Sequence, residues 1–125
     1  ELPKGLYEHN KKLYLDYVDY HKQLIKDLNA KIDNISEDQP IYLFGAHVFA
    51  QYLIEFGLDI SRIICLLDND TNKQGKRLYG TNMMVESPKV LADVKKPIVI
   101  LKAGVYNQEV SGDILNNINQ NTIFL

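Results

Sequence analysis

The sequence has no tryptophan, one cysteine and four prolines in 125 residues. A lone cysteine, Cys65, allows no internal disulfide framework and fits a reducing compartment. Charge of one sign is also lacking. Fourteen basic residues against sixteen acidic ones leave a net charge of −2, so no global field points to nucleic acid or to an acidic membrane surface. No apolar run approaches the roughly 20 residues that span a bilayer, and no signal peptide is recognisable. No His, Cys and Asp cluster has metal-ligand spacing, and no Ser or Cys nucleophile has an evident base partner. There is no internal repeat and no low-complexity tract beyond a modest asparagine bias near the end. These absences lead us to expect a cytoplasmic domain with no nucleic-acid or membrane partner, no metal and no catalytic set of its own. The chain begins "ELPKG" without Met, which suggests processing or excision from something longer.

What is present is an ordinary globular composition, 46% hydrophobic and 24% charged, on a chain of single-domain length. Residues 5–33 read as one long helix. Tyr14, Val18, His21, Ile25, Leu28, Ile32 and Ile35 recur at three- and four-residue steps, and Leu13, Tyr17, Tyr20 and Leu24 widen the stripe. A stripe this wide could bury against more than one surface, with tyrosine hydroxyls wet at the edge. The segment "NISEDQP" (34–40) ends the pattern.

Strands and helices then alternate. "IYLF" (41–44) predicts a strand, followed by a helix over 47–57 that is stopped by Gly57 as C-terminal cap. "RIICLLD" (62–68) predicts a strand buried on both faces, and "NDTNKQGKRLYGT" a turn-rich loop leading to the short strand "NMMVE". Ser87 and Pro88 open a short helix as N-cap and first helical residue. "PIVILK" (97–102) predicts a buried strand, 107–119 a helix weakened by Gly112, and "TIFL" (122–125) a last strand. Such alternation specifies a Rossmann-like α/β fold, a doubly wound parallel sheet of about five strands in three layers, with a long N-terminal helix. The division expected is a linking helix over 1–36 and one α/β unit over 37–125.

In an open parallel sheet, ligands bind beyond the carboxyl ends of the strands, where strand order reverses. Three loops qualify. At "GAH" (45–47), Gly45 allows the tight turn, and the helix that follows offers unpaired N–H groups at its positive end. His47 stands where a dinucleotide fingerprint has its second glycine. It blocks the closest backbone approach but can itself donate to a phosphate, or it simply caps the helix. In "LLDNDTNKQGK" (66–76), Asp68 ends the second strand roughly 20 residues after Gly45, where a ribose-binding acid would stand. Asn69 and Asp70 can form turns with their own backbone, and Asp70 is read that way. Lys73, Lys76 and Arg77 form a basic cluster suited to a phosphate. In "LKAGVYN" (101–107), Lys102, Gly104, Tyr106 and Asn107 combine a charge, a flexible turn and a ring able to stack on a base or sugar, or form a loop with an N-cap at Asn107. Cys65 reads as an inert core thiol and His21 as a packed, hydrogen-bonded histidine.

The stretches "LFGAHVFAQYLIEFGLD", "IICLLDNDTNKQGKRLYGTNMMVESPKVL" and "PIVILKAGVYNQEV" together resemble the C-terminal domain of bacterial sugar-nucleotide C-methyltransferases, which are S-adenosylmethionine-dependent. The likeness covers residues 40–110, and "DND…KQGK…YGT…SP" (68–88) is its most specific part. It implies a domain that helps hold a sugar-nucleotide substrate, while S-adenosylmethionine and the catalytic residues belong to a separate preceding domain. It places Gly45, Ala46 and His47 near a substrate phosphate, Asp68 and Asn69 at the second strand end, and 102–106 on the opposite rim. This sequence departs from the family at "GAH", where the family turn is richer in glycine. By this resemblance the domain itself binds no cofactor and transfers no methyl group alone. It would work in surface-polysaccharide or natural-product synthesis, with the long helix joining it to the catalytic domain or pairing two copies.

A second family, the N-terminal domain of sugar O- or N-acyltransferases, shares the Gly turn, the Asp-ending strand and the "D…KQG" loop. Its members continue into hexapeptide repeats, none of which occurs here. A non-catalytic nucleotide-binding or regulatory module is the reading from another class. A small NAD-dependent enzyme is disfavoured, because His47 crowds the turn and no catalytic set is present.

Overall fold

The computed structural model describes residues 5–125; residues 1–4 of the expected linking segment lie outside the described residues. The chain runs α1 (Leu6–Asp33), β1 (Ile41–Phe44), α2 (Val48–Glu55), β2 (Ile63–Leu67), β3 (Val85–Glu86), a 3₁₀ helix (Pro88–Asp93), β4 (Ile98–Leu101), α3 (Asn107–Asp113) and β5 (Ile123–Phe124). The five strands form one parallel sheet in the order β3-β2-β1-β4-β5. The chain therefore leaves the central β1 toward one edge, then crosses back and continues from β4 to the other. This is the doubly wound architecture that the alternation of elements predicts.

β1 and β4 are buried along their whole length, so both faces of the sheet need cover. On one face Ile25, Leu28 and Ile32 of α1 and Ala50 and Leu53 of α2 pack on Ile41, Leu43, Ile98 and Ile100. On the other, Tyr42, Phe44, Val99 and Leu101 meet Leu91 of the 3₁₀ helix and Ile114 beyond α3. One strand departs from the wholly buried reading. The β1–β2 register pairs Ile41 with Ile63 but Leu43 with Leu66, so β2 carries one extra residue. That bulge turns Ile64 outward, 60% exposed, and aims Cys65 into the second core. Burial, with Glu86 adding to it, pushes the Cys65 thiol up to about 11, which suits an inert core group.

The punctuation residues act largely as their chemistry dictates. Gly57, at φ +110, ends α2 with N–H bonds from Gly57 to Ile54 and from Leu58 to Leu53, the paired pattern of a left-handed C-cap. The Ser87 side chain caps the 3₁₀ helix at Lys89 N–H, 3.3 Å. The 107–119 helix is not uniform. After Asp113 it widens into a π turn over Ile114–Ile118, closed by Asn119 N–H to Ile114 O at 2.7 Å. Asn119 explains the widening, because its side-chain NH₂ donates to both Leu91 O and Val94 O at 2.8 and 2.7 Å and so ties α3 to the 3₁₀ helix. The turn-rich segment after β2 is likewise ordered: Gly75 N–H reaches Val85 O, Val85 N–H reaches Lys76 O, and Arg77 pairs antiparallel with Met84.

α1 is pinned at its C-terminal end. Asn29 donates to Gly57 O and accepts from Asp59 N–H, and the Arg62 guanidinium donates to the carbonyls of Ile32, Ile35 and Ser36 at 2.7–2.9 Å. Further up the helix, His21 is buried, its Nδ1–H donating to Tyr17 O at 2.8 Å and its ring against Phe49 at the start of α2. The span from Ile32 back to His21 thus crosses the sheet from its amino to its carboxyl edge, and residues 6–20 continue past that edge. There the expected burial of the stripe fails. Tyr14, Tyr17 and Tyr20 are exposed, and only Leu6 and Val18 are partly covered.

Arg62→Ala removes all three carbonyl contacts at the α1 terminus, and hydrogen bonds to a charged donor are worth about 1.5–3 kcal/mol in such settings. The denaturation midpoint is expected to fall by that order with an unchanged m-value. An unaltered midpoint in chemical denaturation would show that α1 is held by packing alone.

Candidate functional site

The reversal of strand order between β1 and β4 opens a cleft at the carboxyl edge of the sheet, with a volume of about 920 Å³. All three loops singled out from the sequence reach it. Gly45 and His47 come from the loop after β1, Asp68, Asn69 and Lys73 from the loop after β2, and Lys102, Gly104 and Tyr106 from the loop after β4. Two of the expected residues stand elsewhere. Ala46 is buried with the first core, and Lys76 lines a smaller neighbouring cavity beside Arg77 and Tyr79.

The turn after β1 is built around the imidazole of His47. Its Nδ1 accepts from Phe49 N–H at 3.2 Å, capping α2, which places the ring proton on Nε2. The ring lies over Gly45: a Cβ built there would stand 2.5 Å from Nε2. Gly45 also has φ +103, where other residues are strained. Glycine is therefore required twice, for the backbone angle and for the imidazole above it. Burial, with Lys73 adding to it, lowers the His47 pKa below its ordinary 6.5, against the opposing pull of Asp68. The shift favours the neutral imidazole, with its proton on Nε2.

Asp68 binds the first two loops together. Oδ2 accepts from Ala46 N–H at 2.8 Å, Oδ1 accepts from Asp70 N–H at 2.9 Å, and Lys73 Nζ lies 3.5 Å from Oδ2. A ribose diol would share this carboxylate with two backbone amides. Its carbonyl accepts from Gln74 Nε2, so the loop folds back on its own origin. Asp70 is a turn former as expected, accepting from Asn72 N–H.

On the opposite rim, Asn107 does not cap α3. Its Oδ1 accepts from Ala103 N–H at 2.7 Å and fixes the loop after β4 from behind. Gly104, at φ +63, allows the loop to turn there. Lys102 has no carboxylate in ion-pair range among the described residues, and burial, with nearby Lys31 adding to it, lowers its pKa. A desolvated lysine without a counter-ion gains from an anionic ligand.

The sequence reading missed one wall. Glu109, Val110 and Asp113 of α3 line the cleft, with Phe44 and Phe49 forming an apolar floor. Tyr106, Glu109, Val110 and Asp113 fall at a helical i, i+3, i+4, i+7 spacing, a signal that was available. The cleft is therefore polar in two senses. Cationic and N–H donors come from the loops after the strands, and carboxylate acceptors come from α3 and from Asp68. No group of His, Cys, Asp and Glu among the described residues is placed to hold a metal, and no helix among them is long and apolar enough to cross a membrane.

The chain matches no protein-family model and no curated protein sequence, so function is read from the cleft itself.

Gly45→Ala is expected to destabilise the fold by about 1–3 kcal/mol, the range for a strained backbone conformation, with displacement of the His47 ring added. A thermal midpoint within experimental error of wild type would refute the double requirement. His47 gives a pH signature. Its folded pKa lies below its unfolded one, so its contribution is fully present above about 6.5 and declines as pH falls toward the folded value. His47→Asn keeps a capping acceptor and does not titrate. Measured by urea unfolding from pH 7.5 to pH 5, the wild type should lose stability relative to that variant; a constant difference would place the titration elsewhere.

Proposed function

We propose that this domain binds a nucleotide-activated sugar, as the substrate-side part of an S-adenosylmethionine-dependent methyltransferase acting on sugars. The observation that carries the binding reading is the two-sided chemistry of the cleft. Lys102, Lys73 and His47 Nε2–H offer positive charge and donors to a diphosphate, while Glu109 and Asp113 offer acceptors to sugar hydroxyls. Tyr106, 62% exposed, lines the same cleft with a ring able to stack on a base or a sugar.

The methyltransferase part of the reading is supported by the likeness of residues 68–88 to the sugar-nucleotide C-methyltransferase C-terminal domain. The arrangement of the cleft agrees with a substrate role better than with a cofactor role. Ala46 N–H, which a dinucleotide pyrophosphate would seek, is bonded to Asp68, and the His47 ring occupies the space over Gly45. S-adenosylmethionine and the groups that carry out transfer are accordingly assigned to a preceding catalytic domain. This domain supplies binding and orientation.

Titration calorimetry of the protein against thymidine, uridine, guanosine and cytidine diphosphate sugars, NAD and S-adenosylmethionine tests the proposal. One sugar nucleotide is expected to bind. Lys102→Ala should weaken it about tenfold, or ~1.4 kcal/mol, and added salt should weaken it further. Tighter binding of NAD or S-adenosylmethionine would overturn the substrate-side assignment, and silence across the panel would overturn binding by this domain alone.

A further inference from the structure

His47 and Lys73 are walls of two cavities. Besides the cleft, they line an annex of about 290 Å³ formed by α2 and the segment after β2. Its other polar lining is Lys76, Arg77, Gln51 and Asn72, and its apolar lining includes Val48 and Leu78. Small-molecule sites occupy roughly 300–1,000 Å³, so the annex stands at the lower end of that range.

Charge divides the two cavities. Three carboxylates, Asp68, Glu109 and Asp113, line the cleft, whereas three cations and no carboxylate line the annex. Lys73 has a counter-ion in Asp68, but Lys76 and Arg77 have no carboxylate in ion-pair range among the described residues. The segment that carries them is braced rather than loose. Gly75 N–H donates to Val85 O and Val85 N–H to Lys76 O, both at 2.8 Å, and Leu78 N–H donates to Met83 O at 2.9 Å. Gln51 Nε2 of α2 donates to Tyr79 O at 3.3 Å and ties the same segment to the helix. The Tyr79 side chain lines the annex and is 89% exposed, so its ring is free to stack on a planar group.

We infer that a sugar nucleotide lies across the ridge of His47 and Lys73, its nucleoside half in the annex and its sugar half in the cleft, so that Arg77 and Tyr79 hold the nucleoside diphosphate. The inference rests on the sugar-nucleotide reading and gives it a direction. Cations without carboxylates suit the phosphate next to the ribose, and the Tyr79 ring suits the base. Sugar hydroxyls need acceptors, and carboxylates line only the cleft. The opposite orientation would set the base among the carboxylates and leave the sugar with cations and amides.

Titration calorimetry with thymidine, uridine, guanosine and cytidine diphosphates, each with and without its sugar, tests the direction. One nucleotide should bind in both forms, and Arg77→Ala should weaken both by about tenfold, the loss of a charge-assisted contact. Tyr79→Ala should weaken both by about fivefold or more, the loss of one stacked base, and Tyr79→Phe, which keeps the ring, should bind as wild type does. Glu109→Gln should weaken the sugar-bearing form alone. Arg77 and Tyr79 are exposed, so their variants should keep the wild-type thermal midpoint. Sugar-nucleotide binding untouched by Arg77→Ala and Tyr79→Ala would overturn this inference and leave the sugar-nucleotide reading standing. Equal weakening of both forms by Glu109→Gln would reverse the orientation and overturn it too. Bare diphosphates that bind through Arg77 and Tyr79, with no gain from any sugar, would uphold the nucleoside site and overturn the sugar reading. Silence of the wild type across the panel would overturn both.

Discussion

Two strands that are dry on both faces govern this fold. β1 and β4 lie side by side at the centre of the sheet with no residue open to water. Each face therefore needs its own layer, and the connections that supply those layers must go opposite ways from β1 and β4. The cleft follows from that topology, because the two loops that diverge there leave nothing between them at the carboxyl edge. The apolar floor from Phe44 and the polar walls from three separate loops are consequences of where the chain reverses rather than additions to it.

Asp68 is the point at which architecture and site share one group. Its carboxylate holds Ala46 N–H and Asp70 N–H and lies beside Lys73, so it fixes the shape of two cleft loops while consuming part of what they could offer an anion. The His47 ring does the same to Phe49 N–H. A phosphate arriving here meets side-chain donors, Lys102 and Nε2–H of His47, more than a bare backbone cradle. On the sugar-nucleotide reading proposed above, recognition would rest less on close backbone approach, which glycine-rich fingerprints exploit, than on side-chain charge, which tolerates a wider range of phosphate positions and responds more strongly to salt.

Element type and order were legible because strongly periodic and continuously apolar segments leave little choice. "IYLF" and "PIVIL" can be buried only as central strands, and Gly57 and Ser87 mark element ends through their own backbone chemistry. Most of the candidate site followed from the same topology, since loops after parallel strands share one edge. What was not legible depended on pairing across the chain. The bulge that exposes Ile64 arises from register with β1, and the π turn arises from the Asn119 contacts to Leu91 and Val94. Asn107 bonding backward to Ala103, rather than capping α3, likewise depends on a loop conformation that local propensity does not encode. The acidic wall of α3 was written in a helical spacing but overshadowed by the loop before it.

The long helix shows most directly how an apolar spacing can outrun the core that it covers. Its apolar spacing runs on from Tyr7 to Ile32, yet the sheet it covers is short. A helix of 28 residues extends about 42 Å at 1.5 Å per residue, while β1, with 4 residues, extends roughly 13 Å at 3.3 Å per residue. Even with loops at both edges, the sheet can bury only the C-terminal half. The length in excess of the core is therefore not needed for folding this domain, and an apolar face costs solubility unless something covers it. The composition also changes where the core ends. Ile and Leu, suited to tight packing, give way to tyrosines, whose hydroxyls remain hydrated in a free chain and whose rings still supply buried area when another surface arrives.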